Sequence, residues 1–270
     1  MIRLGLCSGA CITRDTKGVI SAARAARLDA VEWAADLHIP AGDSKAAGET
    51  MIATLMAGLT TASFATLYRA GGEDEGHARF GALLGTASTL QAPIMRIFAC
   101  AEHHRWDEAA QLEGLGSELR RLGDMAAQKG ITLCLSMGRG TCLDDYDRAR
   151  RLLEAAAHDF IRLAWEDLPG AKAERATAAL ESLGGLAGLV IARSVGRDGA
   201  ARPVSEEEEA WRSRLRAFKK TEADPKMGSF VFLGAAREEG KAGDESLALD
   251  SAALRALVEE IEPSKRSAKP

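Results

Sequence analysis

The chain has 270 residues, of which 46% are apolar and 27% charged, and a formal net charge of −4. That length exceeds one ordinary sandwich or bundle and suits a single (β/α)8 barrel, which closes one core with about 250 residues. The acidic balance without a clustered basic face argues against a nucleic-acid partner, and no apolar run approaches the roughly 20 residues that span a bilayer.

Met1-Ile2-Arg3 runs straight into the apolar LGLC, without the charged, apolar and small-residue segments of an export signal. A cytoplasmic protein is expected. Cys7, Cys11, Cys100, Cys134 and Cys142 are an odd set without zinc-type pairing, several of them beside apolar runs. They are expected to be reduced thiols that pack as small hydrophobes.

Strand and helix signals then alternate. Leu4 to Cys7 is a strand, and Thr16 to Leu28 has apolar and alanine positions at helical spacing behind Asp15 or Thr16 as N-cap. Ala30 to Trp33 is a strand, Ser44 caps a helix running to about Leu59, and Ala62 to Leu67 is a third strand ending at Tyr68-Arg69, before the Gly71-Gly72 break. His77 to Leu90 puts Phe80, Leu83, Leu84 and Ala87 on one helical face, and Pro93 introduces the strand Ile94 to Phe98. Asp107 to Lys129 is the longest predicted helix, closed by Gly130.

Ile131 to Thr141, reading ITLCLSMGRGT, is a fifth strand entering a glycine-flanked loop that holds Ser136, Met137 and Arg139. A helix over Asp144 to Ala157 leads to the strand Ile161 to Trp165, and a helix over Ala171 to Leu183 leads to the strand Leu189 to Ala192. After a long polar loop, Ser205 and Glu208 form a capping-box pair before a helix reaching Phe218. The acids Glu206 to Glu209 read as its solvated first turn. Ser229 to Leu233 is the eighth strand, and Ser246 to Ile261 the last helix.

Eight strand-helix units at intervals of roughly 30 residues predict an α/β protein with one (β/α)8 TIM barrel over residues 1–262 and a flexible tail over 263–270. The doubly wound alternative wants spaced glycines after the first strand, and CSGAC at Cys7 to Cys11 lacks them.

Several strings resemble the xylose isomerase-like barrels known as sugar phosphate isomerases/epimerases. They are LGLCSG at the start, LDAVEWAADLHIPAGD at Leu28 to Asp43, LYRAGG at Leu67 to Gly72 and APIMRIFA at Ala92 to Ala99. GRGT at Gly138 to Thr141, IRLAW at Ile161 to Trp165 and ARPVSEEEEAW at Ala201 to Trp211 follow in matching order. The resemblance implies isomerase or epimerase chemistry on a carbohydrate. It also implies one divalent metal, held by carboxylates and a histidine at the ends of strands five to eight.

This chain departs from that pattern. Ser136 stands where the fifth strand would offer glutamate, and Gly138 where a histidine often follows. Val190-Ile191-Ala192-Arg193 has no histidine, and Phe230 to Gly234 no glutamate. Only the sixth strand keeps acids, Glu166 and Asp167, too few to complete the ligand shell of a hard dication. No metal or other cofactor is expected.

In a parallel barrel the chemistry sits where strands end. Glu32, His38 and Glu166 are therefore the candidate acid–base groups, and Tyr68, Arg69, Arg96, Ser136, Arg139, Trp165 and Arg193 the candidate ligand contacts. Guanidinium forks bind carboxylate or phosphate, and flat aromatic faces pack on sugar rings, so the expected ligand is an anionic or sugar-like small molecule. Several have plainer readings: Glu32 in a salt bridge with an arginine, Arg96 and Arg193 as neutralisers of such acids, His38 as a loop cap, and the adjacent His103-His104 as a solvated loop. Two functions stay open, an isomerase/epimerase with a rebuilt site and a non-catalytic barrel. The latter would be a binding subunit that self-associates or pairs with an active relative.

Overall fold

The computed structural model describes residues 1–70, 76–100, 109–138, 141–195, 201–220, 228–234 and 240–262. The predicted tail, Arg139, His103 and His104 lie outside them. The first seven strands are β1 (Ile2–Cys7), β2 (Ala30–Ala34), β3 (Thr60–Arg69), β4 (Ile94–Phe98), β5 (Thr132–Ser136), β6 (Ile161–Glu166) and β7 (Ala187–Ala192). β8 (Ser194–Val195) and β9 (Ala201–Arg202) make an antiparallel hairpin inside the stretch expected as polar loop. The last strand, β10 (Ser229–Leu233), closes the barrel, whose order is β1-β10-β7-β6-β5-β4-β3-β2 with every pair parallel.

The surrounding helices are α1 (Thr16–Ala25), α2 (Ser44–Met56), α3 (His77–Thr89), α4 (Ala109–Ala127), α5 (Tyr146–Ala156), α6 (Ala173–Leu183), α7 (Glu208–Lys220) and α8 (Gly240–Ile261). Carboxylates start three of them, because an ionised oxygen accepts from the orphan N–H groups of a first turn. Asp15 accepts from the Gly18 amide, Asp43 from Ala46, and Asp145 from Asp147 and Arg148. Asp43 thus takes the capping place expected of Ser44. The Ser205–Glu208 box does not form, because Val204–Glu207 is a 3-10 turn behind Pro203. Asp250 of α8 reaches across to accept from the Val204 amide at 2.9 Å.

Alternation along each strand builds two cores. Val31, Trp33, Leu133, Leu135, Leu163, Trp165, Val231 and Leu233 belong to the layer between strands and helices. Cys7, Ala30, Ala62, Ile94, Cys134, Ala164, Leu189, Ile191, Phe230 and Phe232 fill the barrel itself. The alanines offset the bulk of Phe230 and Phe232, whose rings lie 5.7 Å apart. Gly5 goes further, since a Cβ there would stand 2.4 Å from the Phe232 ring. Gly5→Ala is expected to cost about 1–3 kcal/mol by overpacking. A denaturant midpoint unchanged from wild type would show that Phe232 can move aside.

One expectation about cysteine is corrected. Cys100 and Cys142 are paired in a disulfide, with Cα atoms 6.2 Å apart, while Cys7, Cys11 and Cys134 are free. The two lie 42 residues apart in the chain but just beyond the neighbouring strands β4 and β5, an adjacency that only the fold creates. Among the described residues no helix is long and apolar enough to cross a membrane.

Candidate active site at the barrel mouth

The inward residue nearest the C-terminal end of each strand reaches the barrel mouth. Ala30 and Cys134 face inward, so the alternation carries Glu32 on β2 and Ser136 on β5 to that end. Ile94 does the same for Arg96 and Phe98, Ala164 for Glu166, and Ile191 for Arg193 just beyond β7. The fold therefore brings Glu32, Arg96, Ser136, Glu166 and Arg193 together, as the strand-end rule predicts. Arg69 joins them by stacking its guanidinium over the Phe98 ring at 4.7 Å.

Glu32 is only 1% exposed and receives a two-pronged bond from Arg96, with Nη2 to Oε1 at 2.8 Å and Nε to Oε2 at 3.1 Å. The same guanidinium donates from Nη1 to the Ser136 hydroxyl at 3.4 Å. The Cys7 thiol donates to Glu32 Oε1 at 3.0 Å. Burial pushes this thiol well up, and the Glu32 charge pushes the same way, so it stays protonated. Sequence reading did not single out Cys7 or Phe98. Both share the strand parity of residues it did single out.

His38 sits in the loop after β2 with both ring nitrogens engaged. Nε2 donates to the Arg14 carbonyl at 3.0 Å, and Nδ1 accepts from the Ser8 hydroxyl at 3.1 Å. Ser8 in turn accepts from the Ala34 amide at 2.8 Å. Burial lowers the His38 pKa, and the neutral ring matches this donor-acceptor assignment. These bonds knit the loops after β1 and β2.

Glu166 differs from both. It accepts no hydrogen bond and no ion pair among the described residues, and its Oε1 lies against Gly138, where a Cβ would come within 2.4 Å. Gly138 has a φ of +144°, a backbone shape that side chains disfavour. Burial raises the Glu166 pKa, while Arg193 and Arg96 pull it down. Arg193 is exposed and has no hydrogen-bonded acid among the described residues.

Tyr68 and Trp165 are not brought to the mouth. Tyr68, 1% exposed, packs its ring 5.0 Å from Phe80 of α3, and the fully buried Trp165 stacks on Tyr146 of α5 at 6.3 Å. Asp167 also points outward, pairing with Arg214 of α7 at 2.7 Å. Arg214 is 4% exposed, lies over the Trp211 ring and reaches Glu207 at 3.5 Å. Glu207 therefore partners a buried cation instead of lying on a purely solvated face.

Among the described residues, the donor set at the mouth does not fit a divalent cation. Glu32 already has the Arg96 guanidinium as its counter-charge, and Glu166 is flanked by Arg96 and Arg193, which would repel a dication. Among the described residues, no group of three or more His, Cys, Asp and Glu side chains could hold a metal ion.

No family model and no curated protein matches the chain. Solved structures do. An L-ribulose 3-epimerase aligns with 100% of both chains at 14% identity and a TM-score of 0.71. The IolI protein, solved with a bound zinc atom, aligns with 97% of this chain and 99% of its own at 11% identity and a TM-score of 0.74. A xylose isomerase-like TIM barrel protein from Mycobacterium smegmatis, in complex with magnesium, aligns with 91% of this chain and 89% of its own. Its identity is 16% and its TM-score 0.64.

Proposed function

From the premise that the chain folds as a xylose isomerase-like TIM barrel, we propose that it binds an anionic, sugar-like small molecule at its C-terminal mouth. Arg193 and Arg69 meet the anion, Ser136 meets a hydroxyl, and Glu166 is the acid–base group, without a divalent metal. The observation that carries this reading is the juxtaposition of an unpaired carboxyl, Glu166, with an unpaired guanidinium, Arg193, among the described residues. Glu32 and Arg96 neutralise each other and serve to hold the mouth in shape.

Among the described residues only Glu166 offers a free carboxyl at the mouth, which sets a limit on the chemistry. A single group can carry the carbon-bound proton between adjacent carbons on one face of a sugar while the hydroxyl proton passes to the former carbonyl oxygen, which is isomerisation. Inversion at one centre by proton transfer calls for a second group on the opposite face. That scarcity favours a second reading, a barrel that binds without turnover and serves as the partner of an active relative.

Binding is tested by thermal unfolding with D-gluconate against the neutral polyol D-glucitol. At 100 times its Kd, gluconate should add about 2.7 kcal/mol, raising Tm by roughly 5–10 °C, with less for glucitol. Arg193→Ala should remove most of the difference. Equal shifts with both compounds, or none with either, would reject anion recognition. Deuterium uptake beside a sugar carbonyl in D2O separates the two readings, since a binding-only barrel catalyses none.

A further inference from the structure

Among the described residues near Glu166, all the charged groups but one are already committed to partners. Arg96 of β4 is forked onto Glu32 of β2 and reaches Ser136 of β5. Cys7 of β1 is a neutral thiol bonded to Glu32, and Cys134 of β5, also held neutral by burial, lies deeper in the barrel. Asp167, the residue that follows β6, is turned outward onto Arg214 of α7. Arg193, two residues past the inward Ile191 that pairs with Glu166 across β6 and β7, is the one cation on that side without a hydrogen-bonded acid among the described residues.

An anion seated on Arg193 therefore competes for the cation that helps to keep Glu166 ionised, and it brings a second negative charge beside a carboxyl that has no hydrogen-bond donor among the described residues. Two neighbouring acids cannot both stay charged without cost, and a protonated carboxyl relieves the repulsion while gaining a hydrogen to donate. We infer that an acid ligand enters this mouth together with one proton, which is held on Glu166 and donated in a hydrogen bond to the ligand. This inference rests on the proposed acid-binding role of the mouth and adds the protonation state in which binding occurs. The raised pKa of Glu166 has the matching sign, because burial already favours the neutral form.

The test is titration calorimetry of D-gluconate, whose own carboxylate stays ionised from pH 6 to 8, in two buffers of different ionisation heat. At pH 8 about one proton should be taken up per gluconate bound, and Kd should weaken about tenfold per pH unit on the alkaline side. Glu166→Gln should bind with no proton uptake and a pH-independent Kd, while Asp167→Asn should keep the uptake. Binding without buffer-dependent heat, or uptake that persists in Glu166→Gln, overturns the inference and leaves the acid-binding reading standing. No heat with gluconate or glucuronate at any of these pH values overturns both.

Discussion

Arg96→Met should lower the unfolding free energy by about 3–5 kcal/mol, roughly 10 °C in Tm, the largest loss expected of a single mouth substitution. Glu32 is 1% exposed and its carboxylate takes two bonds from Arg96. Without the guanidinium, the Cys7 thiol is the one hydrogen-bond donor left to this buried charge among the described residues. Desolvating a charge is tolerable when it is paired and expensive when it is not. The double variant Glu32→Met, Arg96→Met removes both charges and should recover most of the loss, because apolar side chains of similar volume need no partner. Denaturant melts of the wild type, both single variants and the double variant form the cycle. A single variant as stable as the wild type would mean that solvent, and not Arg96, accommodates Glu32.

The second large effect concerns pH. Burial pushes the Asp167 carboxyl up to about 7 against the pull of Arg214, with Glu207 and Glu166 adding to the rise. The sign follows from proton counting: between about pH 4 and pH 7 the folded chain holds a proton at Asp167 that the unfolded chain has released. Stability from this group is thus fully present below the unfolded value and is lost as pH rises through about 7. Across pH 5 to 8 the wild type should lose about 2–3 kcal/mol more than Asp167→Asn, in which nothing titrates at this position. Guanidinium unfolding of both proteins at the two pH values measures the difference. Parallel losses would show that Arg214 keeps Asp167 ionised throughout.

The mouth shows which parts of a site a sequence discloses. Glu32, Arg96, Ser136, Glu166 and Arg193 were legible because each follows an apolar run, and strand ends converge in a parallel barrel. Tyr68 and Trp165 satisfied the same rule, yet the fold places them against Phe80 and Tyr146. They adjoin Arg69 and Glu166, and neighbours in a strand point to opposite faces. Alternation is local, but its phase depends on which face meets the barrel interior. Arg214 was missed although it occupies the apolar spacing of Trp211, Leu215 and Phe218 on α7, all of them buried. A cation in that stripe is a sign of a buried acid elsewhere, and nothing in the sequence says that the acid is Asp167.

By itself the sequence determined the repeat of eight strands and helices, because hydrophobic periodicity, glycine stops and carboxylate caps act within a few residues of where they are written. It also determined that histidine and glutamate are missing at several strand ends. Only the tertiary structure decided that Glu32 is neutralised by Arg96, that His38 is spent on Ser8 and Arg14, and that Cys100 meets Cys142. Each of those pairings joins residues 24 to 64 positions apart, and their energies depend on burial and on competing partners, which exist only once the barrel has closed.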